Sequence, residues 1–509
     1  MGKGLRPRSH IAALALCFAG GCGDDSASRS TTGWEFSREV AEASIELGAR
    51  AGPVSQPVST RSQRAQAYYD QGVAFLYAYQ WIFALRSFHA ALREEPRLAM
   101  AELGLAKAWY GAQAYDEARA ALARAEALAR EGHVSEKERL WIEAARLQQE
   151  GAYLQGLPRE TAHDEYRRAL DALIELDPSD AHAWVLRGNA EESAIWGRGQ
   201  GGGEQSLAFY RAALERSPTH PAAHHYLIHS YENLGRLEEA ATHGAKLVEL
   251  APGAPHPIHM YAHVLPRLGR WDEARRWLRV SERLHRAAIA EEGLAAADDW
   301  HFSHNLHVLG LVEIETGDDA AGAARLEEAF EIEGRGAFAG YHRAPWIEYL
   351  LWKGRFDAAL AAAQQTEALG GPLERVLGAA LAGEAWIALG KFAAAREALA
   401  RARAAAEAIG VPQRGNLFEF VLPFVSGRYT AALERLIELC DGDAERASVE
   451  LRKHARGIAR ARSIDVWAGG RLRLETAAAH AKRCGQLELG EEIAAQAAFG
   501  SRASSSSGS

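Results

Sequence analysis

Twelve of the chain's 20 histidines lie between His220 and His307, and they recur in one register. Three glycines, Gly235, Gly269 and Gly317, fix that register, because His225, His259 and His307 each stand ten residues before one of them. His229 and His263 stand six residues before, and His256 and His304 thirteen before. Residues three, four and seven apart share a helix face. His225 and His229 therefore form a pair, His256, His259 and His263 a stripe, and His304 and His307 another pair. An i,i+4 histidine pair presents two nitrogen donors to one metal ion, and two such pairs recur 34 residues apart. Neutral imidazole suits zinc, copper, iron or nickel. Thiolate is absent from the array and Met260 is its only thioether, which disfavours a soft Cu(I) store. These seven histidines exceed the needs of one ion. Either two ions bind, or some imidazoles orient ligands or carry protons.

The remaining histidines of the segment have blander readings. His220, His243, His285 and His301 read as polar surface residues. His224, about 100° around the helix from His225, reads as packed between helices, and Tyr226 and Trp271 read as core.

Positioning such an array requires helices, and the apolar spacing is helical almost throughout, with no run of alternating β-branched residues. The chain has 509 residues and is 48% hydrophobic, enough for several cores or one long solenoid. A net charge of -9, with lysines and arginines interspersed among acids, leaves no basic face for phosphates and excludes nucleic acid as the expected partner. The units repeat: "GRLEEA" at 235–240, "GRWDEA" at 269–274, "GRFDAA" at 354–359 and "GKFAAA" at 390–395 each close one helix and open the next. "AYDEA" at 114–118 lies 34 residues after a degenerate copy, "YQWIFA", that ends at Ala84, and Pro218 and Pro252 are also 34 apart. The period predicts an all-α fold of stacked helical hairpins.

With "HAWVLRGNAEE" at 182–192 and a small-x-x-aromatic-x-x-Ala pattern after each turn, residues 61–440 resemble the tetratricopeptide-repeat family. The resemblance implies a right-handed superhelix whose first (A) helices line a concave groove, with the three histidine registers facing it. Neighbouring helices pack ~8–10 Å apart, so imidazoles of adjacent units can meet on one ion through bonds of ~2.0–2.1 Å. The groove near 220–310 is the expected site, and 441–500 reads as a C-terminal helical cap. "HHYLIHSYE" at 224–232, "HPIHMYAHV" at 256–264 and "SHNLHVL" at 303–309 are similar to the HYxIH, HxxHMxxHI and HNxHFL signatures of a subgroup of exported bacterial repeat proteins, as is the segment 70–106. That subgroup implies metal association and no particular reaction. The chain departs from it at Gln80-Trp81, where Asn-His is expected. The string "GRGQGG" at 197–202 matches GxGxxG, but a helix precedes it and no βαβ unit surrounds it, so it reads as a loop.

The N-terminus has Lys3, Arg6 and Arg8, an apolar stretch at 11–18, and then Ala19-Gly20-Gly21-Cys22. This resembles a bacterial lipobox, which implies a signal peptide at 1–21, lipid on Cys22, and a membrane-anchored protein facing the periplasm. Gly23 after the cysteine favours the outer membrane. No other apolar run approaches the ~20 residues of a spanning helix. Residues 22–60, rich in Ser, Thr, Gly and Pro around an amphipathic piece at 34–50, read as a flexible tether, and 501–509 as a disordered tail. Cys440 and Cys484 are left; pairing depends on geometry that spacing does not give.

The leading expectation is an exported metalloprotein binding copper, iron or zinc through His225, His229, His256, His259, His263, His304 and His307. Glu232 and Glu348 are candidate bases for metal-assisted hydrolysis or oxidation. The alternatives are a scaffold holding a peptide or envelope protein in the groove, and a periplasmic metal buffer. Radiolabelled palmitate should enter the wild type and not Cys22→Ser; equal labelling of the two would remove the anchor.

Overall fold

The computed structural model describes residues 37–498 apart from 49, 153, 155, 194, 196, 198, 335–338, 410–416 and 461–463. The signal segment with Cys22 and the tail 501–509 lie outside the described residues. A short helix α1 (Arg38–Glu42) is followed by hairpins in unbroken order. They are α2 (Gln63–Tyr77) with α3 (Trp81–Glu94), α4 (Ala99–Gly111) with α5 (Tyr115–Arg130), α6 (Glu136–Ala152) with α7 (Gly156–Leu176), and α8 (Ala181–Asn189) with α9 (Glu204–Arg216). Next come α10 (Pro221–Asn233) with α11 (Leu237–Leu250), α12 (Pro255–Val264) with α13 (Trp271–Glu292), α14 (Trp300–Glu315) with α15 (Asp319–Glu331), and α16 (Ala344–Trp352) with α17 (Phe356–Ala368). The last are α18 (Pro372–Ala388) with α19 (Phe392–Ile409), α20 (Leu417–Asp441) with α21 (Ala444–Arg460), and α22 (Ile464–Arg483) with α23 (Leu487–Ala498). There is no strand among the described residues. The all-α, tetratricopeptide-like solenoid expected from the period is what forms.

Local sequence explains each hairpin. In α5 the buried side chains Ala118, Ala121, Leu122 and Ala125 fall on one stripe, and Asp116 and Glu117 occupy the first turn, where the helix dipole favours acids. Between A and B helices the chain in most hairpins turns through a left-handed residue. Gly235 (φ 72°) serves α10, and the Gly235 and Arg236 amides donate to the Glu232 and Tyr231 carbonyls at 3.0 and 2.8 Å. In the first two hairpins Tyr79 (φ 57°) and Gln113 (φ 65°) fill that post instead.

Two features differ from the sequence reading. From Ser37 the N-terminal stretch is laid along the first hairpins rather than free. Arg86 Nε donates to the Val40 carbonyl at 2.8 Å, the Gly48 amide to Gln71 Oε1 at 2.7 Å, and the Ser59 amide to Glu138 Oε1 at 2.6 Å. The backbone of this stretch finds partners on α2, α3 and α6.

The concave A-helix face is also not open. The α2–α3 turn packs over α10, α12 and α14, while α22 returns over α14, α16 and α18. Arg473 of α22 donates to Glu348 at 3.0 Å and to Glu384 at 3.4 Å, Tyr429 donates to Glu348 at 2.8 Å, and Arg471 pairs with Glu315 at 2.7 Å. A disulfide, Cys440–Cys484, with Cα atoms 4.8 Å apart, ties the end of α20 to the end of α22.

Removing one partner of a buried ion network strands the others. Arg473→Met should therefore lower unfolding free energy by about 3–5 kcal/mol near neutral pH. The loss should be smaller when measured at about pH 5, because burial raises the Glu384 carboxyl toward protonation. Urea denaturation at both values checks it, and a loss under about 1 kcal/mol at neutral pH would show that α22 is held otherwise.

Candidate metal centre

Three A helices bring the imidazoles together. Pro221 and Pro255 open α10 and α12 at positions where no amide is needed, and Asp299 caps α14 by accepting from the His301 amide at 3.2 Å. Side by side, the helices place rings in a continuous file. Centroids are 4.9 Å apart for His225–His256, 4.5 Å for His256–His301 and His301–His259, 4.8 Å for His259–His304, and 5.2 Å for His304–His342. Two groups have donor nitrogens all within 4.8 Å of one another: His259, His301 and His304, and then His304, His307 and His342. His304 belongs to both.

The surroundings orient two of these rings for a ligand. His259 Nδ1 lies 3.0 Å from Asn305 Oδ1, and the Asn305 amide nitrogen donates to the Leu278 carbonyl at 3.2 Å. The amide oxygen must then accept, so the hydrogen-bond network assigns the proton to His259 Nδ1 and a lone pair to Nε2. His301 Nδ1 lies 3.1 Å from His285 Nε2, and His285 Nδ1 donates to the Asp299 carboxylate. That relay likewise puts the His301 proton on Nδ1. Both Nε2 atoms are buried and have no hydrogen-bond partner among the described residues. Each such buried, unsatisfied nitrogen costs about 1–3 kcal/mol. A metal-bound histidine has this arrangement, with its far nitrogen donating to a carboxylate, carbonyl or similar acceptor.

Burial also keeps the rings neutral. Desolvation, reinforced for most of them by neighbouring imidazoles, holds His229, His256, His259, His301 and His342 well below the ordinary 6.5. Desolvation lowers His225 to about 4 and His304 to about 3. Proton competition for these lone pairs therefore begins at lower pH than free imidazole would suggest.

The other predicted residues fall around this centre. His225 Nδ1 donates to the Tyr77 carbonyl at 3.1 Å, leaving Nε2 3.2 Å from His256 Nε2. His229 adjoins His225 with its Nε2 buried and unpartnered, and His263 Nδ1 lies 3.5 Å from Glu232. Glu232 is thus beside the array, whereas Glu348 is taken up by Arg473 and Tyr429 under α22.

Of the four histidines read as surface, His220, His285 and His301 prove buried and His243 half-buried. His301 and His285 join the centre, His220 caps α10 and meets His182 at 3.1 Å, and His224 meets His243 at 2.9 Å. His301 lies one turn before His304 on the same face, a signal the alignment on Gly317 passes over. His342 precedes Pro345, which shortens α16, so it reaches the face from a 3-10 turn. The loop 197–202 folds around the Glu192 carboxylate, which accepts from the Gly199 amide and from the Gly201 amide at 3.0 Å. An internal anion satisfies it.

Over the array lies the first hairpin's turn. The Tyr79 ring is 4.9 Å from both His225 and His256, and Trp300 Nε1 donates to the Tyr79 carbonyl at 2.9 Å. A left-handed backbone costs a non-glycine residue about 1–2 kcal/mol. Two ring contacts of about 0.5–1.5 kcal/mol each offset it.

No protein-family model matches the chain, and no curated protein matches its sequence. Among solved structures it is similar to a tetratricopeptide repeat protein from Parabacteroides merdae ATCC 43184, at 14% identity over 57% of this chain and 98% of that one, with a TM-score of 0.37. It is also similar to yeast Tom70, at 11% identity over 83% and 90%, TM-score 0.38, and to Cut9–Hcn1 of the APC/C, at 13% over 86% and 78%, TM-score 0.36. The chain is an array of tetratricopeptide-like hairpins.

The depressed pKa values fix the direction of acid sensitivity. Unfolded histidines take up protons near 6.5, whereas His225 waits until about 4 and His304 until about 3. Stability is therefore fully present above pH 6.5 and falls through these values, by about 1.4 kcal/mol per pH unit for each such histidine. Melting of metal-stripped protein from about pH 7.5 to 4.5 should show a steep fall, and a shift under about 2 °C would contradict a buried, neutral array.

Proposed function

We propose that this protein is a metal-binding hairpin solenoid, exported and held at the membrane by lipid on Cys22. One observation carries the metal reading: His259 and His301 keep buried, unpartnered Nε2 lone pairs within one donor group with His304, while their Nδ1 atoms are fixed by Asn305 and by the His285–Asp299 relay. All-imidazole donation fits copper, iron or zinc. The second group, around His307 and His342, supports a neighbouring ion sharing or exchanging His304. Three protein ligands are what a catalytic zinc site uses, and a bound ion there would supply Lewis acidity toward water or an oxygen-bearing substrate. The chain's own residues would keep the ligands neutral and oriented, exclude bulk water beneath the Tyr79 turn, and hold Glu232 beside His263. The Cys440–Cys484 disulfide supports an oxidising compartment.

The peptide-scaffold alternative needs another surface, since the groove is occupied by the α2–α3 turn and by α22. A metal buffer of many weak sites would not need oriented donors.

Protein purified without an affinity histidine tag should carry stoichiometric transition metal by mass spectrometry. His259→Ala and His301→Ala should each weaken retention strongly, and His285→Ala by roughly 10–100-fold. His243→Ala should retain metal as wild type does. Metal-free wild type, or equal retention in His259→Ala and His243→Ala, would reduce the array to a polar lining.

A further inference from the structure

The same A-helix face holds a second cavity nearer the N-terminus, of about 130 Å³, walled by α2, α4, α6, α8 and α10, with no histidine in its lining. Tyr69, Trp81, Leu103, Trp141 and Tyr226 make it largely aromatic and apolar. Half-buried Lys107, Tyr110 and Gln148 stand where solvent reaches it.

Among the described residues, Lys107 supplies the lining's one cation. Its ammonium sits 4.9 Å over the Trp141 ring and has no ion pair among the described residues. The only carboxylate acting on it, Asp180, is bound to Lys137 at 2.8 Å and caps α8. Burial lowers the Lys107 pKa to about 8, the mark of a charge left without compensation. Two more polar atoms on the lining are orphaned: Trp141 Nε1, a donor, and Gln149 Oε1, an acceptor, both on buried residues. A folded chain that keeps an uncompensated ammonium and an unpaired indole N–H in an apolar chamber lacks an anion there.

We propose that this cavity binds a small organic monoanion, a carboxylate on a flat apolar body, with the carboxylate accepting from Lys107 and the body lying among the aromatic walls. Size sets the class, because an apolar cavity of ~150 Å³ holds benzene. Multiply charged or extended ligands do not fit one cation in this volume. Because the site shares no ligand with the imidazoles, the proposal stands apart from the metal reading.

Calorimetric titration at about pH 7 with benzoate, benzyl alcohol and inorganic phosphate tests it. Benzoate should bind saturably at one site per chain, and benzyl alcohol and phosphate each at least about tenfold more weakly. Lys107→Met should fold, because it removes a half-buried charge without opening space, and should weaken benzoate by about tenfold or more. His259→Ala should bind benzoate as wild type does, which separates the cavity from coordination to a metal. No saturable benzoate binding up to about 10 mM, undiminished binding in Lys107→Met, loss in His259→Ala, or phosphate or benzyl alcohol binding as tightly as benzoate would each overturn it.

Discussion

An imidazole removed from water must stay neutral and must find partners for both ring nitrogens. Much of this molecule is arranged around that demand, repeated along α10, α12 and α14. Tyr77 offers a carbonyl to His225, Asn305 an amide oxygen to His259, and His285 with Asp299 a relay to His301. What these partners leave over is a set of inward lone pairs. For these three rings the fold supplies one hydrogen-bond acceptor and withholds a second, which is the division of labour a ligand needs.

That demand also accounts for an odd feature of the first hairpin. Later turns such as those at Gly235, Gly269 and Gly317 use glycine at the left-handed position, and Tyr79 takes that post at a cost in backbone energy. Its side chain and carbonyl both work on the far side of the cover, the ring against His225 and His256 and the oxygen accepting from Trp300. Gln80-Trp81 lies in this same turn, and Trp81 stacks on Tyr79 at 5.1 Å, which adds a second ring to the aromatic cover.

How much of this could be read from residues alone follows from the range of each interaction. Helices, turns and the 34-residue period depend on local spacing and capping, so Gly235 and Gly269 announce themselves. The stripes on α10, α12 and α14 are equally local, and His259, His304 and His307 fall where their register puts them. His342 escapes because Pro345 cuts its helix short, and His301 because the long α13 and the 3-10 turn after it disturb the alignment. Burial of the array is invisible from sequence. It arises when small angles between successive hairpins add until residue 79 meets residue 300, and no window along the chain contains both. The polar stretch before α2 misleads for a related reason: its partners, Gln71 and Glu138, lie in other elements.

A solenoid normally behaves as a one-dimensional stack, in which each unit needs only its neighbours and can fold or fray on its own. The hydrogen bond from Trp300 to Tyr79 spans 221 residues and ends that independence. The N-terminal hairpin emerges first during synthesis and cannot reach its final seat until α14 exists, so the chain acquires a late docking step of the kind that slows folding of proteins rich in distant contacts. Once docked, the hairpin ties α10, α12 and α14 into one cooperative unit. An ion that arrived before docking would leave only as fast as the whole hairpin lifts away, so the turn at Tyr79 would set residence time independently of any bond to the ion itself.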